Sequence, residues 1–139
     1  MIVLDTNVVS ELMKQVPDAA VWHWTRDNLG AEFRTTAITV AEIHTGIERM
    51  PGGRRRTQVR EAADAPFASA FVEDEILSFT AEAAMAYSVV MRDRRRAGLP
   101  IEPLDAQIAA ICLVEQAPLA TRNTADFART GVELINPWA

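Results

Sequence analysis

Met1-Ile-Val-Leu-Asp5-Thr-Asn7 reads as a short buried strand that delivers a carboxylate at its C-terminal end and passes at once into residues that favour helix capping. In open α/β sheets, ligands bind outside that end of the strands. Three further acids, Glu42, Asp105 and Asp126, each fall where a strand ends or a helix begins. One fold can gather all four into a single cluster, and such a cluster binds a divalent cation.

Outward from this stretch the chain alternates strands and helices without repeats or low-complexity tracts. The strand 2–4 leads into a short helix over about 8–14, and Pro17-Asp18 restarts a helix carrying Val21, Trp22, Trp24 and Leu29. Residues 34–38 read as a second strand. Thr39 is positioned to cap the following helix, with Glu42 three residues on, a spacing that fits a capping box as well as an active site. Pro51-Gly52-Gly53 breaks that helix, and a charged helix is expected over 54–65, ending before Pro66. A third strand is expected over 76–79. Thr80 opens a helix to about Ala97, stopped by Gly98-Leu99-Pro100. Pro103-Leu-Asp105 then starts a helix with an acid in its first turn and an apolar stripe behind it. Strands at 119–121 and 132–135 flank the turn Arg122-Asn-Thr-Ala-Asp126-Phe127. This order predicts an α/β fold of three layers, α/β/α, around a mostly parallel sheet of four to five strands.

With 139 residues and about half of its side chains apolar, the chain is expected to form one domain, residues 1–139. No run approaches the roughly 20 apolar residues that span a bilayer, and a secretory signal is not evident, so a cytoplasmic protein without membrane attachment is expected. The single cysteine, Cys112, lies in an apolar helical run and reads as core. A net charge of −5 excludes a protein that coats nucleic acid nonspecifically, but not a local basic site. Positive charge is concentrated in Arg54-Arg55-Arg56 with Arg60, and in Arg92, Arg94, Arg95 and Arg96. The plain reading is solvated helix faces or helix ends; the functional one is a flank that holds a phosphate backbone, with Arg54, Arg55 and Arg56 as candidate phosphate contacts.

Clustered acids imply their own chemistry. Carboxylates within a few ångströms raise one another's pKa, and a bound dication reverses that penalty. Hard oxygen ligands suit Mg²⁺ or Mn²⁺, which acidify water for attack on phosphorus and offset charge on the leaving oxygen.

Five blocks together are similar to the PIN-domain family, and within it to VapC-type and FitB-type toxins of toxin–antitoxin pairs. They are Met1-Ile-Val-Leu-Asp5-Thr-Asn7-Val-Val-Ser10-Glu11, Thr36-Ala-Ile-Thr39-Val-Ala-Glu42-Ile, Leu104-Asp105-Ala-Gln-Ile-Ala-Ala110, Leu119-Ala-Thr121-Arg122-Asn123-Thr-Ala-Asp126-Phe127 and Val132-Glu-Leu-Ile-Asn136-Pro137-Trp138. The resemblance implies a Mg²⁺- or Mn²⁺-dependent endoribonuclease, a homodimer held inactive by a VapB-type antitoxin. It maps Asp5, Glu42 and Asp105 onto the family's catalytic acids, with Asp5 and Asp105 as metal ligands. Some members carry an acid where this chain has Asn123, which leaves Asp126 either as the substitute at the fourth position or as a helper behind it. Thr6, Asn7, Thr121 and Asn123 are implied as polar supports, while Ser10 and Glu11 read as ordinary helix residues.

Two rival readings remain. A strand ending in Asp-Thr-Asn superficially resembles the start of aspartyl-phosphate phosphatases with Asp5 as nucleophile, although those enzymes carry an acid where Asn7 stands. The other rival is a catalytically inactive acid-lined binding module.

Overall fold

The computed structural model describes the backbone of residues 1–69 and 76–139, and the side chains of 1–64 and 76–139. Among these residues five strands, β1 (Ile2–Leu4), β2 (Phe33–Thr36), β3 (Ile76–Leu77), β4 (Leu119–Ala120) and β5 (Leu134–Ile135), form one sheet in the order β3-β2-β1-β4-β5. Every pairing is parallel. The helices are α1 (Thr6–Leu12), α2 (Ala19–Asp27), α3 (Ala37–Glu48), α4 (Arg54–Ser69), α5 (Ala81–Arg96), α6 (Pro103–Glu115) and α7 (Thr124–Phe127). The α/β architecture expected from the alternating pattern is the one observed. None of the described helices is long and apolar enough to cross a membrane.

Three layers follow from the period-two alternation of a strand. Val3, Leu77 and Leu119 point to one face and join Ala83 and Val90 of α5 and Ile108 and Ile111 of α6. Their neighbours Leu4 and Ala120 point to the other face and join Val8 and Val9 of α1, Ile43 and Ile47 of α3 and Ala63 of α4. Strands buried on both faces have no polar positions to spare, which is why β1 and β4 are almost wholly apolar. Cys112 is buried in the first of these clusters, and burial pushes its thiol pKa up, as a packing residue requires.

Several local boundaries differ from the expected ones. α1 starts at Thr6, not Val8, because Asp5 caps it by accepting the Thr6 N–H at 2.8 Å. The cap of α3 is Thr36, not Thr39: Thr36 has extended backbone and its Oγ1 accepts the Thr39 N–H at 3.1 Å. Thr39 is therefore a buried residue of the first turn, and Glu42 belongs to no capping box. The helical backbone of α4 runs past Pro66 to Ser69. α5 begins as expected, with Thr80 accepting the Ala83 N–H, and stops at Gly98, whose φ of 72° suits glycine.

Strand order places the site. The chain winds outward from β1 through β2 to β3, then crosses back to β4 on the other side of β1. Loops leaving β1 and β4 therefore diverge, and a crevice opens at their C-terminal ends. Asp5 follows β1 at this edge and Thr121 follows β4.

Candidate active site

Asp5 stands at the floor of this crevice, only 4% exposed. Its Oδ1 accepts from the Thr6 N–H, while Oδ2 accepts from Thr121 Oγ1 at 2.7 Å and Asn7 Nδ2 at 3.1 Å. Burial raises its pKa, and the hydrogen bonds from Thr121, Thr6 and Asn7 pull it back. Thr121 also accepts the Asn123 N–H, and the Asn7 side chain accepts the Arg122 N–H at 3.2 Å. The turn after β4 is thus bolted to the first turn of α1.

Glu42 reaches the same place from α3. Thr6 Oγ1 lies 2.8 Å from Glu42 Oε1 and 3.1 Å from Thr39 Oγ1. A hydroxyl carries one proton and an ionised carboxylate only accepts, so Thr6 donates to Glu42 and receives from Thr39. Three threonines, Thr36, Thr39 and Thr6, run in sequence towards Glu42.

Asp105 sits in the first turn of α6, where the helix N-terminus favours an anion. Its pKa is nonetheless pushed up to about 6, first by burial and then by the charges of Asp5, Glu42, Asp126 and Glu102. That balance is the electrostatic signature of acids drawn together from distant segments. Asp126 is exposed on α7 and is not among the residues lining the groove, yet its charge is felt by both Asp5 and Asp105. Asn123 does line the groove.

The groove has a volume of about 450 Å³ and is lined by Asp5, Glu42 and Asp105 with Thr6, Asn7 and Asn123. Sequence reasoning missed four of its other residues: Glu11, Lys14, Arg122 and Trp138. Glu11 is a helix residue as expected, but it is 8% exposed and accepts the Asp18 N–H and the Lys14 ammonium, each at 2.8 Å. The Lys14 hydrogen bond comes first among the causes that hold its pKa down.

The arginine runs divide. Arg54, Arg55 and Arg56 do not line the groove, and Arg56 joins Arg60 in clamping Glu48 across α3 and α4, at 2.6 and 2.7 Å. Arg94, read with its neighbours as a solvated face, is buried at 4% exposure; it donates to the carbonyls of Ala128 at 2.6 Å and Ala125 and Pro100 at 3.4 Å.

A divalent cation fits this donor set. The acids offer hard oxygens, and a positive ion relieves the repulsion that raises Asp105. Among the described residues no three carboxylate, imidazole or thiol groups form a ready-made cage. Mutual repulsion keeps ionised carboxylates from closing on one another. A phosphatase nucleophile fits poorly, since both Asp5 oxygens already accept hydrogen bonds and Asn7 holds one of them.

The PIN domain family model matches residues 2–133. Plasmid stability protein StbB of Pseudomonas syringae pv. tomato is 39% identical over 138 residues, covering 99% of both chains. VapC ribonuclease Y4jK of Sinorhizobium fredii is 38% identical over 138 residues, covering 99% of this chain and 98% of the relative. In a solved structure of FitAB bound to an IR36 DNA fragment, one chain superposes with a TM-score of 0.90 at 30% identity, covering 100% of this chain and 96% of that one. Sheet order, groove and near full-length kinship agree: this chain belongs to the PIN-domain family.

Proposed function

We propose that this chain is the toxin of a VapC/FitB-type toxin–antitoxin pair, a divalent-metal-dependent endoribonuclease with Asp5, Glu42 and Asp105 as its catalytic acids. The observation that carries this reading is the convergence of Asp5, Glu42 and Asp105 on one groove from three separate segments, where burial and then the charges of Asp5 and Glu42 raise the pKa of Asp105. Kinship with a VapC ribonuclease supports RNA as substrate. Mg²⁺ is the proposed ion, with Mn²⁺ as a substitute.

Each residue has a role. Asp5 and Asp105 would hold the cation, and Glu42, oriented by Thr6, accepts a proton from the attacking water or assists in holding the ion. Thr121 and Asn7 fix the Asp5 carboxylate, and Asn123 contributes an amide at the fourth position, leaving Asp126 to add negative charge from outside the groove. When bound, the cation supplies Lewis acidity, acidifying water and offsetting charge on the phosphate oxygens in transit. Arg54 and Arg55 are exposed and remain proposed as outlying RNA contacts, with Arg56 committed to Glu48.

A VapB-type antitoxin is the proposed protein partner, supported by the likeness to a FitAB complex; DNA enters through such a complex, and a homodimer and cytoplasmic location are proposed with it. An apolar groove of about 380 Å³, lined by Met13, Ile43, Gly46, Ile47, Met50 and Val59, adjoins the acids through Thr6 and Glu42, and offers that partner an apolar seat. RNA cleavage measured with Mg²⁺, with Mn²⁺ and with EDTA, beside Asp105→Asn, tests the reading. Cleavage that needs the ion and Asp105 supports it. Cleavage independent of both sinks it, and RNA binding without any cleavage leaves the inactive binding module.

A further inference from the structure

Two residues of the groove belong neither to the acids nor to their supports. The Arg122 guanidinium lies 5.1 Å from the centroid of the Trp138 ring, and both side chains line the groove. Trp138 is anchored, its side chain packing against the cluster of Leu4, Val8 and Ile43 and its backbone N–H donating to Asn136 Oδ1 at 3.0 Å. Arg122 is anchored at its backbone, whose N–H donates to the same Asn7 that holds Asp5. Its side chain is exposed, and among the described residues its guanidinium makes no hydrogen bond or ion pair. The other cation lining the groove, Lys14, is already tied to Glu11.

We propose that Arg122, seated on Trp138, binds a backbone phosphate of the RNA strand and so holds the strand against the acids; this rests on the ribonuclease reading. An acidic groove repels a polyanion, and a fixed cation at its rim offsets that repulsion where the strand enters. A guanidinium held over an indole ring keeps N–H donors for two parallel bonds to phosphate oxygens, which an ammonium cannot make. The contact also restricts its rotamers before binding, so less is lost on contact.

The alternative is that the pair merely packs the C-terminal segment. Binding of a mixed-sequence single-stranded oligoribonucleotide to Asp105→Asn protein, across a salt series, separates the two. Adding Arg122→Gln is expected to weaken binding about tenfold at low salt and to flatten the slope of log affinity against log salt by about 0.7. Arg122→Lys is expected to restore the slope but only part of the affinity. With Asp105 intact, Arg122→Gln is expected to raise KM with little change in kcat, at an unchanged Tm. Unaltered affinity and slope would overturn the proposal, as would a loss that tracks a fall in Tm and is not recovered by lysine. If wild type cleaves RNA while Arg122→Gln is indifferent, only the arginine's role falls. If wild type with Mg²⁺ or Mn²⁺ neither binds nor cleaves RNA, the ribonuclease reading falls too.

Discussion

The Thr121 hydroxyl donates to Oδ2 of Asp5 at 2.7 Å across 116 residues of sequence, joining the ends of β4 and β1. Both residues are buried, so water is a poor replacement for a lost donor. Thr121→Val is expected to cost about 1–3 kcal/mol of stability and to lift the Asp5 pKa further. Thr121→Ser keeps the donor and should retain most of both. Chemical denaturation of the pair checks this; equal midpoints for Val and Ser would contradict it.

Thr6 is the hydroxyl that aims Glu42. Removing it in Thr6→Val leaves the acid in place but unaimed, so cleavage is expected to slow about 10–100-fold. Stability should change by only about 1 kcal/mol, since Glu42 is half-buried and water can reach it. Initial rates at saturating cation, beside a melting curve, test the split between chemistry and folding.

Asp105 makes stability depend on pH. Its folded pKa of about 6 lies above the ordinary 3.8, so the fold favours the protonated form. The contribution is fully present below the ordinary value and is lost as pH rises through about 6. Without divalent ions, wild type should therefore lose Tm relative to Asp105→Asn between pH 4 and pH 7, and Asp5, also raised, acts in the same direction. Adding Mg²⁺ at pH 7.5 should raise the wild-type Tm far more than that of the variant. A wild-type minus variant difference that is flat with pH would show that the acids do not interact.

Arg94 holds the α7 segment to α5 through the carbonyls of Ala125 and Ala128. Arg94→Met preserves the apolar stem but strands those carbonyls, at an expected cost of about 2–3 kcal/mol. Hydrogen exchange at residues 122–130 should quicken more than exchange in β2. Uniform acceleration across both would argue that Arg94 supports the whole fold and not this segment.

Gly46 faces the apolar groove, and a Cβ there meets nothing within 4 Å. Gly46→Leu should fold normally, gaining up to about 1 kcal/mol of helix preference, while filling the seat proposed for the antitoxin. The cognate antitoxin is expected to bind at least about tenfold more weakly, a loss of about 1.4 kcal/mol, with ribonuclease activity retained. Undiminished affinity by calorimetry would place the partner elsewhere.

Much of this molecule was legible in one dimension. Hydrophobic alternation and punctuation by Pro, Gly and Thr state where strands and helices fall, because those preferences are properties of neighbouring residues. The strand ending in Asp5 and the helix start at Asp105 were readable for the same reason, as each acid lies at a boundary that local chemistry marks. A local device can also mislead: Thr39 reads as the cap from sequence, but the extended backbone that ends β2 makes Thr36 the cap instead.

Long-range relations belong to the tertiary structure alone. Glu11 and Lys14 form an i,i+3 pair that only packing turns into a wall of the groove, and Arg94 alone of four arginines is buried, its guanidinium meeting the carbonyls of Ala125, Ala128 and Pro100. Arg122 and Trp138 meet because β4 and β5 are neighbours in the sheet, which no local preference encodes. The sequence by itself determined the identities of the acids and the elements that carry them. Their shared field, in which burial and the charges of Asp5 and Glu42 hold Asp105 near 6, exists only once the sheet closes the distance, because Coulomb energy depends on separation in space and not along the chain.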